Sequence, residues 1–162
     1  MTPTAIPRSL FVPENVDYAP SPRVRERAQV ELYEATAGEA GGTLYGSPVV
    51  ILSHRGATSG LLRKTPLIRI ERNGVYAVIA TNGGGDRDPL WVRNIAAHPD
   101  VTIQDRAEKC ALVARRLRDD EEKELWWKRG YSVLPKFAEY RAAIDRGVPV
   151  LVLEPATAVS GH

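Results

Sequence analysis

Val49-Val50-Ile51-Leu52-Ser53, followed by Arg55-Gly56-Ala57-Thr58-Ser59-Gly60-Leu61-Leu62-Arg63-Lys64, opens the stretch 48–94 on which the fold turns. The first five residues read as an apolar strand, central in its sheet. The next ten read as a loop of small and basic residues. Leu67–Glu71 and Val75–Thr81 then flank Asn73-Gly74, which suits a type I′ hairpin turn because both residues can take positive φ. A glycine run, Gly83-Gly84-Gly85, leads into a helix opening Pro89-Leu90-Trp91-Val92-Arg93-Asn94. Two small-residue loops thus follow two apolar strands, and one loop ends in adjacent cations. Such an arrangement suits a long, flat, anionic ligand, its tail held by the cations and its ring against a strand.

Outward from this stretch, Ser21-Pro22 reads as an N-cap followed by proline at the first helical position. The helix runs to about Thr36, with Val24, Ala28, Leu32 and Ala35 on one stripe. Asp88-Pro89 opens a short helix to His98, and Val101–Gln104 with Lys109–Leu117 forms a second hairpin. Asp119 starts a helix whose Asp120, Glu121 and Glu122 suit the positive end of its dipole. That helix carries Leu125, Trp126 and Trp127 and breaks at Gly130. A further helix covers Phe137 to Asp145, and Val148–Leu153 is a last strand. About six strands, mainly antiparallel, with flanking helices predict an α+β fold. A closed or partly split barrel would remove the exposed edges.

At 162 residues one domain is expected. It spans 21–155, between an extended proline-rich arm at 1–20 and a tail at 156–162. Leu10, Phe11 and Val12 can dock the arm over a pocket, or the arm is a loose tail. The 22 basic and 20 acidic residues interleave to a net charge of +2, which argues against a nucleic-acid partner. Arg23, Arg25 and Arg27 read as a solvated helix face. A lone cysteine, Cys110, excludes an internal disulfide, fits a reducing cytoplasm and reads as a small core residue. The apolar runs are too short to span a bilayer, which leaves only peripheral membrane association open. The oligomeric state is not readable.

His54, His98, His162 and Cys110 show no metal-ligand spacing, so no metal is expected. Thr58-Ser59-Gly60 lacks the strand–Ser–helix elbow of a serine hydrolase. The chain carries no phosphate-loop lysine motif and no dinucleotide glycine fingerprint after its first strand. Any redox chemistry must then be brought by a cofactor.

The loop from Arg55 to Leu67 resembles the deazaflavin-dependent nitroreductase family, whose members typically show R-G-[RA]-K-[ST]-G-x-x-R-x-x-P-L after a strand. The resemblance continues at Asn73-Gly74, at Ala80-Thr81-Asn82-Gly83-Gly84 and at Pro89-x-Trp91-x-x-Asn94-x-x-Ala97-x-Pro99. It resumes at Trp126-Trp127, Pro135-x-Phe137-x-x-Tyr140 and Asp145-Arg146-x-x-Pro149-Val150, and Val30-Glu31-Leu32-Tyr33-Glu34 is similar to the family's first helix. It covers about residues 24–155. The sequence departs from the pattern at Thr58, where the family commonly has lysine, and at Val92, where an aromatic follows the tryptophan. Substrate-side tyrosines of some members correspond to Ile68, Leu134 and Phe137, leaving Tyr140.

The resemblance implies a split β-barrel of the FMN-binding type and the cofactor coenzyme F420, a deazaflavin with a phospholactyl–oligoglutamate tail. It also implies hydride transfer from the reduced cofactor to a small electron-poor acceptor: a quinone, an enone or a nitro compound. By the family's pattern, Ala57, Thr58, Ser59, Gly60, Arg63, Lys64, Thr65, Pro66, Leu67 and Ile68 bind the cofactor. So do Ile79, Ala80, Thr81, Asn82, Leu90, Trp91, Val92, Arg93, Asn94 and Phe137. Tyr140 is the candidate proton donor, or equally a packed helix tyrosine with a bonded hydroxyl. Trp91 suits plain core as well as a site wall. The alternative from another class is a non-catalytic barrel that binds an apolar ligand such as a fatty acid. A flavin-mononucleotide oxidase on a similar barrel fits the fold but not these loops.

Overall fold

The computed structural model describes residues 17–156, so the docking of Leu10, Phe11 and Val12 and the tail at 157–162 lie outside the described residues. In chain order come α1 (Val24–Thr36), β1 (Thr43–Leu44), β2 (Ser47–Arg55), β3 (Leu62–Ile68), β4 (Glu71–Arg72) and β5 (Val75–Ile79). A 3-10 turn at Asn82–Gly84, α2 (Leu90–Ala97), β6 (Asp100–Asp105) and β7 (Glu108–Arg116) follow. Then come α3 (Asp120–Val133), α4 (Lys136–Ala143) and β8 (Val150–Pro155).

β2 lies between β3 and β6, with the two-residue β1 also hairpinned onto it, and the sheet continues β6–β7–β8–β5–β4. All these pairings are antiparallel. Only Arg69 and Ile70 separate β3 from β4, and the Ala77 N–H donates to the Ile70 carbonyl at 2.9 Å. The segment that leaves the side of β2 therefore arrives at the side of β5, and the sheet curls back on its start as a split barrel. Asn73 and Gly74 take φ of 54° and 81°, as the type I′ turn between β4 and β5 requires.

Side-chain alternation assigns each strand to two cores. Val50 and Leu52 of β2, Tyr76 and Val78 of β5, and Leu151 and Leu153 of β8 share a cluster with Trp91, Val92 and Ile95 of α2. Their alternates Ala77, Ile79, Val150 and Val152 face Trp126, Trp127 and Phe137 of α3 and α4. Val49 and Ile51 face Val30 and Tyr33 of α1. A strand buried on both faces has no polar alternates, which is why β2, β5 and β8 read as apolar runs.

Several expected boundaries shift. Leu62–Lys64 is strand, not loop, because β2 extends to Arg55 and pairs Arg55 with Leu62. α1 begins after an Arg23 cap, with Ser21 Oγ accepting from the Arg23 N–H at 3.2 Å. Its buried face is Val30 and Tyr33, while Val24 and Leu32 of the expected stripe are exposed. The Tyr33 hydroxyl explains the rotation: it accepts from the Arg106 N–H at 2.6 Å and reaches the Val49 carbonyl at 3.2 Å. α3 is capped by Asp119, whose carboxylate accepts from the Glu122 N–H at 2.9 Å. It runs through Gly130 to Val133 rather than breaking there. A Cβ at Gly130 would stand 3.1 Å from Ile79 Cδ1 and 3.4 Å from Ile70 Cδ1, so the missing side chain lets α3 approach the sheet. α4 covers Lys136–Ala143, and the last strand starts at Val150. Cys110 is half-buried against the barrel cluster.

Candidate functional site

A cavity of about 970 Å³ opens among β2, β3, the 56–61 loop, the glycine turn, α2 and the junction of α3 with α4. Its wall includes Ala57, Thr58, Ser59, Arg63, Lys64, Thr65, Pro66, Leu67 and Ile68. From the other expected segments come Ile79, Thr81, Asn82, Leu90, Trp91, Arg93, Asn94, Phe137 and Tyr140. Three expected residues stand off it. Gly60 turns the loop at φ 69°, donating its N–H to the Gly56 carbonyl at 2.9 Å. Ala80 is fully buried and donates to the Pro149 carbonyl at 2.9 Å, and Val92 packs into the barrel cluster.

The loop and α2 are tied together by one side chain. Asn94 Oδ1 accepts from the Ala57 N–H at 2.9 Å, and Asn94 Nδ2 lies 3.1 Å from His54 Nδ1. His54 Nε2 is in turn 3.0 Å from Thr65 Oγ1 on the adjacent strand. His54 is only 3% exposed. Burial, with Arg63 opposite it across the β2–β3 ladder, lowers its pKa from 6.5 to about 4. It is therefore neutral at physiological pH. Sequence reasoning missed it as a site residue. The available signal was its period-two position after Val50 and Leu52, a polar side chain at the end of an apolar face.

The glycine turn is held from below. Asn82, Gly83 and Gly84 take φ of 49°, 63° and 86°, a run of left-handed conformations that explains the glycines. The Arg146 guanidinium donates to the carbonyls of Ala80 at 3.0 Å, Thr81 at 3.2 Å and Gly85 at 3.3 Å, and pairs with Asp88. Arg146 thus fixes the wall from which Thr81 and Asn82 face the cavity.

Charge and greasiness come from different elements. Arg63, Arg87, Arg93 and the hydroxyls of Thr58, Ser59 and Thr65 come from the 56–61 loop, β3, the segment ahead of α2 and α2 itself. Ile79, Leu134 and Phe137 are apolar and belong to the cluster under α3 and α4. Leu44 and Tyr45, not foreseen, also line the cavity, and Lys136 Nζ sits 4.8 Å from the Tyr45 ring and 5.8 Å from that of Tyr140. Phe137 meets Tyr140 edge to face at 6.4 Å. Burial and the Tyr45 hydroxyl raise the Tyr140 pKa, so its phenol keeps its proton at neutral pH. Ahead of α1, the Ala19 N–H donates to the Leu62 carbonyl and the Leu62 N–H to the Asp17 carbonyl, at 2.9 and 2.8 Å. This lays residues 17–19 along the free edge of β3, with Ala19 at the cavity.

The model of the F420H(2)-dependent quinone reductase family matches residues 25–155. An F420H(2)-dependent quinone reductase of Mycobacterium tuberculosis is 29% identical over 125 residues, covering 75% of this chain and 84% of that protein. Among solved structures, the F420-H2 dependent reductase FDR-A is 40% identical with a TM-score of 0.62, over 66% of this chain and 94% of that one. A second, described as a domain-swapped dimer, is 37% identical with a TM-score of 0.65, over 79% of this chain and 96% of that one.

Proposed function

The chain belongs to the F420H(2)-dependent quinone reductase family, and from that premise we propose that its cavity binds coenzyme F420 and passes a hydride from the reduced form to a quinone-like acceptor. The observation that carries the reading is the pairing, around one cavity, of a cation- and hydroxyl-bearing segment with an apolar wall. The residues fit the group. Arg63 makes no ion pair among the described residues and suits a phosphate or carboxylate. The small residues of the 56–61 loop let backbone approach an anion closely. Ile68, Ile79 and Phe137 offer flat apolar surface to a ring, and Tyr45, Leu134 and Tyr140 extend it toward an acceptor.

When bound, the reduced deazaflavin supplies the hydride. The protein's own part is to orient the partners and exclude water. The protonated Tyr140 phenol can donate to the oxygen of a reduced quinone. No helix among the described residues is long and apolar enough to cross a membrane.

The test is a fluorescence titration of the purified protein with coenzyme F420, flavin mononucleotide and a fatty acid, followed by quinone reduction with the reduced cofactor. Quenching of the deazaflavin at micromolar levels or tighter, weaker flavin binding and turnover of a quinone are expected. Equal or stronger binding of flavin mononucleotide, or fatty-acid binding with no turnover on quinones, enones or nitroaromatics, would overturn the assignment.

A further inference from the structure

Four polar groups beside the cavity form a hydrogen-bond chain whose direction is set at its origin. The Ala57 N–H can only donate, so the Asn94 atom 2.9 Å away is the amide oxygen. That orientation turns Nδ2, which can only donate, toward His54 Nδ1 at 3.1 Å. A ring nitrogen that accepts carries no proton. A neutral imidazole has one, so it sits on Nε2 and is given to Thr65 Oγ1 at 3.0 Å. The burial of His54 and the cation beside it keep the ring neutral, so the second ring nitrogen stays bare. The Thr65 hydroxyl has then used an acceptor position, and its own hydrogen finds no acceptor among the described residues. Thr65 is half-buried on the cavity wall.

We propose that Thr65 offers its hydroxyl hydrogen to the cavity, freed for that by the bond it accepts from His54 and by Asn94 behind it, and that it donates to an unprotonated oxygen of coenzyme F420. His54 and Asn94 are positioning residues in this device and Thr65 the contact. Arg63 is two residues away on β3, which places the donor beside the segment suited to anionic or carbonyl oxygens. A ligand group that can only donate has to use the remaining lone pair of Thr65 and leaves the hydroxyl hydrogen unpaired in a partly buried site, so it binds less well than an acceptor. The inference rests on the cofactor reading above.

Two measurements test it. In the ligand-free protein, ¹⁵N NMR of the His54 ring should show a single neutral tautomer, protonated on Nε2, at pH 7. Thr65→Val keeps the side-chain shape and removes the donor, and should weaken coenzyme F420 binding about fivefold to twentyfold. Thr65→Ser restores the hydroxyl and should stay within about threefold of wild type. The same titration with a deazaflavin riboside that lacks the phosphate and glutamate tail locates the oxygen. An equal loss for both ligands places it on the ring, and a loss confined to coenzyme F420 places it on the tail. An Nδ1-protonated or mixed His54 overturns the imposed direction. Unchanged binding by Thr65→Val beside normal wild-type binding overturns the donor alone. Failure of the wild-type protein to bind coenzyme F420 overturns the proposed function and the named ligand together.

Discussion

Lys64 Nζ lies 2.6 Å from the carboxylate of Glu34, so the adjacent cations of β3 serve opposite faces of the strand. Lys64 points to α1 and caps the Tyr18 ring at 4.9 Å, whereas Arg63 sits across from His54 on the face of Val50 and Leu52. Strand alternation alone forces this split. A loop would have let both side chains reach one ligand.

Arg63 and Lys64 should therefore behave differently when truncated. Arg63→Ala should weaken coenzyme F420 binding about fivefold to tenfold at low salt, with the difference shrinking as salt is added. Lys64→Ala should change affinity less. It should instead lower stability by about 1 kcal/mol or less, the scale of a partly exposed ion pair. Titrations at two ionic strengths and a denaturant melt of each variant separate the cases. A larger affinity loss at Lys64 than at Arg63 would refute the split.

The buried imidazole makes a pH prediction whose sign is fixed. His54 has a folded pKa of about 4 against an unfolded value of 6.5. Below 6.5 the unfolded chain takes up a proton that the folded one refuses, so stability falls with pH. The loss begins near pH 6.5 and is complete below about pH 4, where both forms are protonated. Its ceiling is roughly 3 kcal/mol. Against a His54→Gln variant, which carries no titrating ring, wild type should show the steeper decline between pH 6.5 and 4. Parallel curves would mean that folding leaves the His54 pKa unshifted.

How far the sequence reaches depends on which level of structure sets each feature. The barrel is legible because β2, β5 and β8 are apolar on both faces and Asn73-Gly74 fixes its hairpin locally. The segments that line the candidate site are legible as spaced motifs around the glycine turn and the 56–61 loop. Orientation is less so. Val24 and Leu32 satisfy a helical stripe, yet α1 turns on the Tyr33 hydroxyl and its bonds to distant residues. Gly130 reads as a breaker because local propensity disfavours it. Its reason is the close approach of Ile79 across the packed interface. His54 escapes notice as a site residue, and Arg146 is read only as part of a motif, because their partners lie on elements far away in the chain.

Tyr140 and Phe137 occupy one wall with different abilities. Tyr140→Phe keeps the ring and its edge-on contact with Phe137 but removes a phenol that is protonated at neutral pH. Quinone turnover with reduced coenzyme F420 should fall about a hundredfold or more, the low end of general-acid contributions. Cofactor affinity should change less than twofold, since no proton transfer is needed to bind. Loss of binding with turnover per bound cofactor unchanged would make Tyr140 a packing residue only.

Thr58 stands where related sequences commonly carry lysine, and it is exposed at the cavity rim. If an anionic tail passes this loop, Thr58→Lys adds a cation beside it. A hydrogen bond to a charged group contributes about 1.5–3 kcal/mol when sheltered. Exposure reduces that to roughly 1 kcal/mol or less. Coenzyme F420 affinity should rise by no more than about fivefold to tenfold, and the gain should fade as salt shortens the range of the charge. The tail-less deazaflavin riboside should gain nothing, because it brings no anion to the loop. A gain of equal size for both ligands would place the ring, not the tail, at Thr58 and reverse the direction in which the cofactor lies along β3.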